Sequence, residues 1–172
     1  MTRRMLVCAW LLALPLAAHG EDKTGKPKPA PANPIFEKLK TLEGTWLATD
    51  EDGKPTDRVV SVIKVTSGGS AIHETIFPGQ AEEMVSVYTV EGPDLVMTHY
   101  CVLGNQPRLK ADPNSSANEI RFEFAGGSNL DPAKDKHMHS VTLTLVDDGH
   151  NEIRGVGWQG GAPTKVGSAR TG

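Results

Sequence analysis

Two short patterns in the chain pair side chains that could do chemistry, His99-x-Cys101 and His137-x-His139. Residues two apart on an extended strand project from the same face, so each pair can offer two donors to one metal ion. On neighbouring strands, His99, Cys101, His137 and His139 would complete a tetrahedral zinc site, or three of them a catalytic one with an open position. One of the histidines could instead serve as an axial ligand to haem. The competing reading puts His99 and Cys101 in a core and the two histidines at its rim beside a loop, with no cofactor at all. Other chemistries fare worse. His73-Glu74 does not extend to a His-Glu-x-x-His zinc motif, because Phe77 stands where the second histidine belongs. A Cys101 nucleophile cannot use His99 as its base within one strand, which leaves His139 as the base. There is no Gly-x-Ser-x-Gly elbow, phosphate-cradling loop or dinucleotide fingerprint. Asp50-Glu51-Asp52-Gly53 lacks the ligand spacing of a calcium loop and reads as a hairpin turn. No set of catalytic residues follows.

These residues must be positioned by strands. Asn33 as N-cap and Pro34 at the first helical position open one short helix, with Ile35, Phe36, Leu39 and Leu42 at helical spacing before Gly44. The hydrophobic period then changes to two. Strands are expected over 45–49, 58–66, 71–77, 83–91, 94–103, 107–111, 118–125, 137–147 and 151–158, separated by turn clusters such as Gly68-Gly69, Gly92-Pro93-Asp94 and Gly126-Gly127. In EIRFEF at 119–124, Ile120, Phe122 and Phe124 share one face and the charged residues the other. In HMHSVTLTLV at 137–146, Val141, Leu143 and Leu145 form the inward face, and parity sends His137 and His139 inward with them. The stretch 95–103 is apolar on both faces. The tail GAPTKVGSARTG is poor in apolar residues and is not counted among the strands. The fold class is all-β, an antiparallel up-and-down meander that closes into a barrel, with one short N-terminal helix.

The N-terminus reads differently. Arg3 and Arg4 precede an apolar run from Met5 to Ala18, and small residues at Ala18 and Gly20 stand before Glu21. Residues 1–20 are therefore expected to be a signal peptide cleaved near Gly20, giving a secreted or periplasmic product. The run is too short for a transmembrane helix, and no second one follows. Residues 21–34 are Lys- and Pro-rich and read as an extended linker, leaving 35–172 as the folded domain. Removing residues 1–20 takes Arg3 and Arg4 from the 18 basic residues, leaving 16 against 21 acidic ones. That mildly acidic balance lacks the basic stripe that nucleic acids require. Cys101 is then the only thiol, so no internal disulfide is expected.

The stretch Leu42-Glu43-Gly44-Thr45-Trp46, which follows the short helix and opens the first strand, resembles the Gly-x-Trp signature of the lipocalin and calycin barrels. The layout is also similar to that of bacterial secreted proteins. The resemblance implies a Trp packed across the barrel floor and an interior that holds a small apolar or amphipathic ligand. On strand parity, that interior would draw its lining from Met97, His99, Tyr100, Phe122, His139, Leu143 and Trp158. Two alternatives stand beside this reading: a zinc or haem protein built on His99, Cys101, His137 and His139, and an envelope interaction protein with a filled barrel and no ligand.

Overall fold

The computed structural model describes residues 32–116, 118–147 and 149–172, with the backbone alone over 165–168. The expected signal peptide and the linker as far as residue 31 lie outside the described residues. Helix α1 (Pro34–Lys40) starts as the sequence predicts: Pro34 is its first residue, and the Asn33 side chain accepts a hydrogen bond from the Phe36 amide at 3.0 Å. That bond satisfies one of the amides left unpaired at a helix start. The apolar face of α1 is buried, with Phe36 at 0% and Leu39 at 4% exposure.

Ten strands follow: β1 (Gly44–Thr49), β2 (Pro55–Thr66), β3 (Ala71–Ile76), β4 (Met84–Glu91), β5 (Asp94–Tyr100), β6 (Gln106–Ala111), β7 (Glu119–Ser128), β8 (His137–Leu145), β9 (Asn151–Gln159) and β10 (Ala162–Thr171). Each pairs antiparallel with its neighbours in sequence, and β10 returns to β1, so the meander is a closed barrel. Helix α1 covers one end. Asn33 Nδ2 donates to the Pro93 carbonyl in the β4–β5 turn at 3.3 Å, while Phe36, Leu39 and Leu42 join Ile72, Leu95, Met97 and Phe122 in one core. Trp46 of β1 locks this cap, because its indole N–H donates to the Leu42 carbonyl at 2.8 Å, a group left free where the helix ends.

Three features depart from the sequence expectation. The C-terminal tail is a strand: Thr171 pairs with Ala48, and Leu47 and Gly172 exchange amide-to-carbonyl bonds of 3.1 Å each. What holds it is hydrogen bonding rather than apolar bulk, including a 2.7 Å bond from Thr171 Oγ1 to Asn151 Oδ1 between two buried side chains. Strand β5 ends at Tyr100, where Cys101 to Asn105 form a turn closed by the Cys101 amide on the Asn105 carbonyl at 3.1 Å. Finally, bulges interrupt strict alternation, one in β8 between Met138 and Ser140 and another in β7, where Ala125 and Gly126 stand opposite Arg108 alone. Beside the second, β7 approaches β6 so closely that a Cβ on Gly127 would lie 2.7 Å from the Gln106 carbonyl oxygen, a position only glycine fits.

Candidate ligand-binding site

The barrel interior is not filled. A cavity of about 260 Å³ runs from the α1 cap, where Leu39, Leu42 and Trp46 line it, to the β3–β4 turn, where Phe77 and Met84 do. Phe77 sits at φ 53°, a left-handed conformation uncommon for a bulky side chain. Its amide is held by the Val60 carbonyl at 2.8 Å. One wall is apolar, built from Met97, Phe122, Val141, Leu143 and Ile153.

The other wall carries a polar row. Register places Glu74 of β3 opposite Ser86 of β4, and Ser86 opposite His99 of β5. Paired residues share a face, so the three side chains stand side by side on the cavity wall. All are buried, at 4%, 1% and 1% exposure. Ser86 Oγ and His99 Nδ1 share a hydrogen bond of 3.0 Å. The Glu74 carboxylate accepts from Ser61 Oγ at 2.8 Å on one oxygen and from the Tyr88 hydroxyl at 2.6 Å on the other. The Tyr88 ring in turn meets Phe122 edge-on, with centroids 5.8 Å apart.

Burial governs the protonation of this row. The His99 imidazole is pushed down to about 4, because a charged ring would be desolvated there. Burial, then the charge of Glu74 and its hydrogen bond, hold the Tyr88 hydroxyl well above its ordinary value. Near neutral pH the row therefore presents a neutral imidazole and a phenol that stays protonated and donates to Glu74.

Of the residues expected from sequence, Met97, His99, Phe122 and Leu143 line the cavity. The other three do not. Tyr100 is 49% exposed, beside the exposed Val102 and Leu103 of the β5–β6 turn. The β8 bulge turns Met138 onto the cavity in place of His139. His139 lies instead between two aromatic rings, 4.3 Å from Trp158 and 5.3 Å from Phe124 with near-parallel planes. His137 completes this second cluster: its Nδ1 bonds the Asp135 carbonyl at 2.9 Å and its Nε2 lies 3.3 Å from His139 Nδ1. Burial, then the neighbouring His137, lower the His139 value, with Glu123 opposing them.

The four-residue metal arrangement does not assemble. β6 and β7 separate β5, which carries His99, from β8, which carries His137 and His139. Among the described residues, no group of three or more His, Cys, Asp or Glu side chains is placed to hold a metal ion.

The lining expected from sequence does not include Ser61, Glu74, Ser86 or Tyr88, Glu74 being weighed only beside His73 as part of a zinc motif. For Glu74 a signal was present: in AIHETI the carboxylate shares strand parity with Ile72 and Ile76, so a charge lies on an apolar face. In comparisons with known proteins, no protein-family model and no curated protein matches the chain.

Proposed function

We propose that the chain is an exported, calycin-like binding protein that encloses a small amphipathic molecule in its barrel. The cavity is the observation that carries this reading. A solid barrel needs no ligand, whereas an apolar void with a few convergent polar groups is the usual form of a small-molecule site. At about 260 Å³ it falls just under the roughly 300 Å³ at which drug-sized pockets begin, which favours a compact occupant. The apolar wall suits the body of such a molecule and the row around Glu74 and His99 its polar end. The export part of the reading rests on residues 1–20 alone.

The test uses N-phenyl-1-naphthylamine, a neutral fluorophore that brightens in apolar surroundings. Saturable enhancement is expected with the natural chain and is expected to vanish in Val141→Phe, whose larger ring occupies the cavity. Overpacking typically costs about 1–3 kcal/mol, so cooperative thermal unfolding of the variant is checked alongside. Enhancement that survives in a folded Val141→Phe protein, or none in the natural chain, would count against the proposal.

A further inference from the structure

We propose that the cavity selects ligands whose polar end is a protonated amine, seated against Glu74, over those that end in a carboxylate. This deepens the binding function proposed above and rests on it. Among the described residues, Glu74 is the one acid in the cavity lining, and no Lys or Arg lines it. Among the described residues, Glu74 belongs to no ion pair. A buried carboxylate without a cation is costly unless hydrogen bonds compensate it. Here Ser61 and Tyr88 supply one each, whereas an ionised carboxylate offers about four acceptor positions. Glu74 itself lines the cavity, so a ligand there can take up the remaining capacity.

Three further points decide the sign. His99 adds no positive charge to the wall near neutral pH, because burial lowers its imidazole to about 4. An anionic head group would therefore lose its hydration opposite a like charge, with no basic side chain among the described lining residues to meet it. An ammonium reverses both terms, since it brings the missing counter-charge and three donors to a site rich in acceptors. The apolar wall of Met97, Phe122, Val141, Leu143 and Ile153 then takes the hydrocarbon part, so the ligand class is a small amine on an apolar body.

The experiment compares three probes of matched shape at neutral pH by calorimetry on the purified chain: 3-phenylpropylamine, 3-phenylpropan-1-ol and 3-phenylpropionate. The amine is expected to bind more tightly than the alcohol by about tenfold, the ratio expected when a charged hydrogen bond replaces a neutral one, and the acid more weakly than either. Glu74→Gln is expected to bring the amine down to the affinity of the alcohol. The selectivity is overturned if the acid or the alcohol binds as well as the amine, or if a folded Glu74→Gln protein keeps the amine's advantage. The natural chain alone decides the matter should that variant not fold. Binding of the alcohol and of N-phenyl-1-naphthylamine without amine preference leaves the binding function standing and removes the selectivity. Failure of the fluorophore and all three probes removes both.

Discussion

Replacing His99 by Asn should remove a large part of the acid sensitivity of the fold. The imidazole has a folded value of about 4 against an ordinary 6.5, a difference worth roughly 3 kcal/mol. The sign follows from proton uptake. Between those two values the unfolded chain binds a proton at His99 and the folded chain does not, so stability is fully present above about pH 6.5 and is lost as the pH falls towards 4. Integrated from about pH 7.5 to pH 4.5, the single site contributes about 2.5 kcal/mol of destabilisation. Asn keeps a polar atom near the Nδ1 position, where Ser86 Oγ bonds at 3.0 Å, but has no titration in this range. Urea unfolding of both proteins at closely spaced pH values gives two stability curves. The natural chain should fall more steeply by about that amount, whatever the constant offset that the smaller side chain introduces. Parallel curves, differing in pH dependence by under about 0.5 kcal/mol, would refute the claim that burial keeps this ring neutral.

The cap and the closure of the barrel can be tested in the same assay. Phe36→Ala removes a fully buried ring beneath the α1 cap and should lower the unfolding free energy by about 3–5 kcal/mol. Thr171→Val preserves shape but deprives Asn151 of its buried 2.7 Å donor, for an expected loss of about 1–3 kcal/mol. Hydrogen exchange should then quicken at the Leu47 and Gly172 amides, which bond across the closure, while amides between β4 and β5 keep their protection.

Local patterning carried most of the fold. The cap at Asn33 and Pro34, the change of period after Gly44 and the alternation of Ile120 and Phe122 with charged residues each follow from short-range rules. The last strand was hidden because pairing at both its edges and the bond between Thr171 and Asn151 secure it, none of which leaves a hydrophobic pattern in GAPTKVGSARTG. Four of the seven expected lining residues lie on unbroken stretches of strand, where parity holds. His139 was lost to a bulge, since one extra residue exchanges inside for outside, and Tyr100 stands on the opposite face from Met97 and His99. Both faces of β5 are apolar, so alternation could not assign a side there. The polar row depends on register across three strands, a long-range property that spacing within any one strand does not encode.

The junction of β1 and β10 has a consequence for how the molecule breathes. Elsewhere neighbouring strands run alongside each other for several residues, whereas here Ala48 meets Thr171 and one reciprocal pair of bonds joins Leu47 to Gly172. A ring gives way where its overlap is shortest, so rupture should begin at this joint, exposing two raw edges that can capture a strand from another molecule. The same gap would uncover Ala169 and Thr171, which border the void, making it a side door as well as the point from which aggregation spreads.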